Sequence, residues 1–133
     1  MVASTAPSKA AAETCASRLV DPERVASVRP RLIDDDESSR LAGLFRLLGD
    51  PTRVRVLNAL LEAGELCVCD LAAALEMPES RLSHALGLLR NAGVVRNRRD
   101  GRMVFYRLDD SHVRLLLDVS LEHLRHGPST EPA

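Results

Sequence analysis

Cys67-Val68-Cys69, with a third cysteine at Cys15, carries the most reactive side chains of this 133-residue chain. On a regular helix a spacing of two places side chains about 200° apart. Both sulfurs can meet one ion only where a helix is starting and its first residue is still non-helical. Glu65-Leu66-Cys67, just after Gly64, is such a start. A helix N-terminus favours negative charge and so the thiolate that binds metal. Three thiolates without imidazole suit soft ions. Two small buried hydrophobes and a stray tail cysteine are an equal reading of the same spacing.

A second set of donors lies near the C-terminus: Asp110, His112, His123 and His126. In one helix His112 and His123 stand about 20° apart around the axis but roughly 16 Å apart along it. They share a face and cannot share an ion, because nitrogen donors at about 2 Å from zinc lie only ~3 to 3.5 Å from one another. Two such helices packed antiparallel about a two-fold axis bring His112 of one subunit opposite His123 of the other and create two equivalent sites. Asp110 and His112, with His123 and His126 from the partner, then make a tetrahedral Zn(II) site. Alternatively Asp110 is only an N-cap and the histidines are last-turn residues favoured by the helix dipole.

The third set is cationic. The formal net charge of −1 argues against a nucleic-acid partner until it is divided along the chain. Between Arg81 and Arg107 seven arginines face a single acid, Asp100, a local balance of +6 that leaves −7 for the remainder. Duplex binding draws much of its affinity from such cations on phosphates. With no Trp, one Tyr and two Phe, a platform of stacked rings for single strands cannot be built.

The elements that must position these groups read as mostly helical. Asp21-Pro22-Glu23 and Asp50-Pro51 each offer an N-cap followed by a proline at the first helical position; Pro30 ends the first of these helices. Asp34-Asp35-Asp36-Glu37 opens a helix with the stripe Leu41, Leu44, Phe45, Leu48, and Val54, Leu57, Leu60 and Leu61 stripe the next, stopped by Gly64. A third helix is expected over roughly Leu66 to Glu76. After the break Met77-Pro78-Glu79-Ser80, a fourth capped by Ser80 carries Leu82, Leu86 and Leu89 to near Gly93. Two helices so joined are a helix-turn-helix candidate.

Val94 to Arg98 and Met103 to Arg107 are strand-favouring runs around Asp100-Gly101, a hairpin signal. A last helix covers about Asp110 to His126, with Val113, Leu116, Leu117, Leu121 and Leu124. The fold expected is mainly α with a small β-hairpin, a winged helix-turn-helix. Ser80, Arg81, Ser83 and His84 would meet base edges and phosphates in the major groove, and Arg98, Arg99 and Arg102 would clamp the backbone or minor groove. Residues 1–14 and 127–133 read as disordered tails flanking one domain over 15–126.

The stretch from Leu48 to His126 resembles the ArsR/SmtB metalloregulators. The residues that carry the resemblance are Leu48-Gly49-Asp50-Pro51-Thr52-Arg53, Glu65-Leu66-Cys67-Val68-Cys69-Asp70-Leu71, Ser83-His84, Gly101-Arg102 and Tyr106-Arg107-Leu108. It implies a homodimeric repressor, joined through its terminal helices, that holds operator DNA when metal-free and releases it when metal binds. The cadmium/lead/zinc-sensing (CadC-like) members are the nearest type. By that resemblance Cys15 crosses to the other subunit's Cys67 and Cys69, and Asp110, His112, His123 and His126 form the zinc site.

Two positions depart from the pattern. Leu19 stands where that type has a second N-terminal cysteine, which leaves three thiolates, suited to Pb(II) or to Cd(II) completed by water, Glu13 or Asp21. Ala72 stands where arsenite-sensing relatives can have a third cysteine. An arsenite- or thiol-redox-responsive repressor is the alternative of the same fold, and a cytosolic metal-buffering protein or small zinc hydrolase the alternative of another class. Against the enzyme, a four-ligand Asp/His site leaves zinc no open position, and no nucleophile-elbow, phosphate-loop or HExxH pattern occurs. With no export signal, no membrane-length apolar run and an odd cysteine count, the expected location is the cytoplasm.

Overall fold

The structure, a computed structural model, describes residues 18–127. Cys15 and the tail positions 1–14 and 128–133 lie outside the described residues. The chain divides after Gly43 into two compact units. The first holds α1 (Pro22–Val28), a 3-10 turn (Arg29–Arg31) and the opening of α2 (Asp35–Leu48). Asp21 caps α1 by accepting the Arg24 N–H at 3.0 Å, and Pro30 sits in the 3-10 turn that stops it. Asp34 accepts the Glu37 N–H at 2.8 Å ahead of α2.

The second unit contains the end of α2, then α3 (Pro51–Ala63), β1 (Glu65–Cys67), α4 (Val68–Leu75), α5 (Glu79–Asn91), β2 (Val95–Asp100), β3 (Met103–Leu108) and α6 (Ser111–His126). Asp50 caps α3 through the Arg53 N–H at 3.0 Å with Pro51 at the first position, as the Asp-Pro pair predicts. The core joins Val56, Leu57 and Leu60 of α3, Leu71 and Leu75 of α4, and Leu82, Leu86 and Leu89 of α5 to Val95, Tyr106 and Leu108 of the strands. Each fully buried leucine contributes roughly 1.5–3 kcal/mol over an exposed one. Leu44 and Leu48 pack on this core, whereas Leu41 and Phe45 of the predicted α2 stripe remain exposed.

Three expectations need correction. Glu65–Cys67 is not the start of a helix but a strand, and it pairs antiparallel with β3, so the expected hairpin is a three-stranded sheet of order β1-β3-β2. The helix after it is correspondingly shorter, Val68–Leu75. Ser80 does not cap the fourth helix: the N-cap is Pro78, whose extended backbone leads directly into Glu79, and no side chain bonds the first turn.

Glu76 ends α4 in the left-handed conformation, φ 53° and ψ 51°, which turns the chain within Glu76-Met77-Pro78 and lets Met77 fall back into the core. In the hairpin, Asp100 pairs with Met103, so the loop is Gly101-Arg102. Gly101 has φ +65° while Arg102 does not take a positive φ, the pattern of a type II′ turn that needs glycine first.

Candidate functional site

Cys67 is both the last residue of β1 and the N-cap of α4, with an extended backbone (φ −76°, ψ 162°). Cys69 lies one residue inside the helix. This is the geometry the Cys-x-Cys spacing demands, because only a non-helical first cysteine escapes the 200° separation. Cys67 is buried and Cys69 exposed.

The Cys69 thiol differs from expectation. The carboxylate of Glu79, at the first position of α5, pushes its pKa up, partial desolvation adds to this, and the neighbouring Cys67 thiol and Asp70 contribute further. A soft cation beside the Cys69 sulfur would relieve that repulsion. Among the described residues no three His, Cys, Asp or Glu side chains are placed to hold a metal together, so any such site takes a further donor from elsewhere. Of the carboxylates considered for that role, Asp21 is engaged in capping α1.

The second donor set sits on α6. Asp110 caps the helix: Oδ1 accepts the His112 and Val113 N–H groups at 2.9 and 3.1 Å. These backbone bonds, that from Val113 foremost, and the His112 side chain hold its pKa below the usual carboxylate range. Oδ2 remains 3.5 Å from His112 Nδ1. The cap and ligand readings of Asp110 therefore use different oxygens. His123 borders a shallow surface cavity with Val119, Ser120 and Leu124, while His126 borders another with Glu62 and Asp118. One continuous helix carries all four residues, so Asp110 and His112 stay at one end and His123 and His126 at the other. The face carrying the histidines also exposes Leu115 and Val119 at 61% and 55%.

The cations divide into free and committed groups. On α5, Ser80, Arg81, Ser83 and His84 are exposed, and Arg81 Nη2 donates to Thr52 Oγ1 at 2.9 Å. On the hairpin, Arg99 and Arg102 are exposed, and among the described residues neither joins an ion pair. Arg96 pairs with Asp109 at 3.0 Å. Arg98 alternates to the face opposite Arg99 and makes a two-pronged bond to Glu65, Nε to Oε2 at 2.9 Å and Nη2 to Oε1 at 2.8 Å. Sequence reasoning missed both Glu65 and Glu79. Only the acid immediately beside Leu66-Cys67 offered a signal for the first.

A helix-turn-helix (α4 and α5) followed by a hairpin whose Arg99 and Arg102 join no ion pair among the described residues is a winged helix-turn-helix, a DNA-binding class of transcription regulator and not an enzyme. The family model described as "Bacterial regulatory protein, arsR family" matches residues 50–97. The "Transcriptional repressor SmtB homolog" of Synechocystis sp. is 43% identical over 113 residues, covering 85% of each chain. The chain belongs to the ArsR family. The "Cadmium resistance transcriptional regulatory protein CadC homolog" of Staphylococcus aureus is 42% identical over 67% of this chain and 74% of that one. Among solved structures, that of the AntR antimony-specific transcriptional repressor matches with TM-score 0.65 and 36% identity, over 71% of this chain and 86% of that one. Among the described residues no helix is long and apolar enough to cross a membrane.

Proposed function

We propose that the protein is a cytoplasmic, homodimeric repressor that binds operator DNA when metal-free and dissociates on binding Cd(II), Pb(II) or Zn(II). Its main support is the placement of Cys67 and Cys69 at the start of α4, with Cys69 facing Glu79 at the start of α5. A soft cation there touches the beginnings of both helices of the helix-turn-helix. Cys15 of a second subunit supplies the third sulfur, which accords with the incomplete donor set among the described residues. The names of the relatives, a SmtB homolog and a CadC homolog, point the same way.

A second, Zn(II) site forms when two α6 helices pack antiparallel, Asp110 and His112 of one facing His123 and His126 of the other. The exposed Leu115 and Val119 between them provide the apolar contact such a pairing needs. Bound zinc there fixes the two subunits relative to each other. Ser80, Arg81, Ser83 and His84 contact the major groove, and Arg99 and Arg102 the flanking phosphates. Arg98 is held on the sheet instead.

Metal and DNA then oppose each other: a hundredfold loss of operator affinity corresponds to about 2.7 kcal/mol, and DNA weakens metal binding by the same factor. An arsenite response has less behind it, because Ala72 stands where arsenite-sensing relatives can have a third cysteine. The test is Cys67→Ser in a gel shift on the gene's own upstream DNA. The variant should bind as the metal-free wild type does but resist release by Cd(II) and Pb(II); release equal to wild type would remove the thiolates from the mechanism.

A further inference from the structure

We propose that Glu65 and Arg98 form the link by which a soft cation on Cys67 and Cys69 reaches the wing, Glu65 acting as a positioning residue for Arg98 and Arg98 for strand β2. This deepens the thiolate reading above and rests on it. The register sets Cys67, Phe105 and Arg98 in one row across β1, β3 and β2, and Glu65, Arg107 and Arg96 two rows away on the same face, with Leu66, Tyr106 and Asn97 in the row between. Paired residues share a face of the sheet. The Arg98 guanidinium lies 4.5 Å from the centre of the Phe105 ring and continues to Glu65, where both prongs of its fork are engaged. One side chain thus spans the sheet, rooted in β2, crossing β3 and ending on β1 two residues before Cys67.

Strand β1 is only three residues long and runs straight into the cap of α4. A cation that draws the two sulfurs together acts on that short segment and carries the Glu65 carboxylate with it. Bidentate pairing fixes the guanidinium in direction as well as distance, so Arg98 follows and β2 with it. The next residue of β2 is Arg99, one of the unpaired wing cations. The pair is exposed, and what sets it apart from an ordinary surface ion pair is its bidentate geometry.

The test uses the full-length reduced protein and Cd(II), reading metal binding by thiolate-to-metal charge-transfer absorbance and operator binding by anisotropy. Glu65→Gln should keep Cd(II) affinity and metal-free operator affinity within about threefold of wild type, while the factor by which Cd(II) weakens operator binding falls at least about tenfold. Arg98→Lys, which keeps the charge and loses the fork, should show the same loss of coupling. Full coupling in either variant overturns the link. Loss of Cd(II) binding in Glu65→Gln also overturns it, since Glu65 would then be a ligand. If wild type binds Cd(II) through its thiolates with no change in operator affinity, the thiolate reading itself fails and the link falls with it.

Discussion

Removing Arg99 should leave a signature in the salt dependence of operator binding that removing Arg96 does not. Arg99 is exposed and unpaired among the described residues, whereas Arg96 is bound to Asp109 at 3.0 Å. In a dimer each substitution is made twice. If each Arg99 neutralises one phosphate, Arg99→Ala lowers the slope of log affinity against log salt by about 1.8, at about 0.9 per phosphate. Over a fourfold rise in salt, roughly 50 to 200 mM, that slope is worth about 12-fold, so the variant's defect at the low end should exceed its defect at the high end by that factor. Adding Arg102→Ala should double the slope change and raise the factor to about 150-fold. Arg96→Ala also frees Asp109 and should alter the slope by less than half as much as Arg99→Ala. Fluorescence anisotropy at four or five salt concentrations gives all the slopes. A slope for Arg99→Ala within about 0.5 of wild type, or an equal change for Arg96→Ala, would refute the division into free and committed arginines.

Glu79→Gln should speed alkylation of Cys69 by iodoacetamide near neutral pH, because the carboxylate that raises the thiol's pKa is gone and more thiolate is present; an unchanged rate would separate Glu79 from Cys69. Asp110→Asn should destabilise the fold above the carboxylate range and progressively less below it. The folded pKa of Asp110 is depressed, so its contribution is complete above the unfolded value and disappears as pH falls through the folded one. Melting curves of both proteins that stay the same distance apart at every pH would count against this. Glu76→Gly should raise stability by about 1 kcal/mol, since a left-handed conformation costs a side-chain-bearing residue roughly 1–2 kcal/mol and the freer unfolded chain offsets part of the gain. A lower melting temperature would show that the Glu76 side chain contributes something its backbone does not reveal.

Local signals in the chain are legible where the physics is local. Asp21, Asp50 and Asp110 cap helices as their types and following residues predict, and the helix-turn-helix followed by a hairpin is where the periodicity puts it. Strand β1 was not legible: three residues carry no period, and what makes them a strand is a partner about 40 residues later in sequence. The hairpin loop sits one residue beyond the Asp-Gly signal because the register of β2 on β3, set by packing of Val95, Tyr106 and Leu108, outranks the local turn preference. Ser80 loses the cap because Pro78 already holds an extended backbone one residue ahead of the helix.

The non-helical backbone of Cys67 ahead of Cys69 was legible by spacing. Their surroundings were not. Glu79 meets Cys69 only through the packing of α4 against α5, and Glu65 meets Arg98 across 33 residues and three strands. Both contacts are acids brought beside groups that a linear reading treats alone. Each changes the expected chemistry: Glu79 raises the pKa of one thiol, and Glu65 gives one arginine of the wing an ion-pair partner.

The central claim is that metal and operator DNA exclude each other. Labelled upstream DNA should be bound by the reduced, metal-free protein, and Zn(II), Cd(II), Pb(II) and As(III) then titrated separately while anisotropy is followed. Cd(II), Pb(II) and Zn(II) should each return the anisotropy to that of free DNA, and a chelator should restore the complex. Anisotropy that stays at the bound value with all three ions would contradict it, and release by As(III) alone would assign the cysteines to a different ligand.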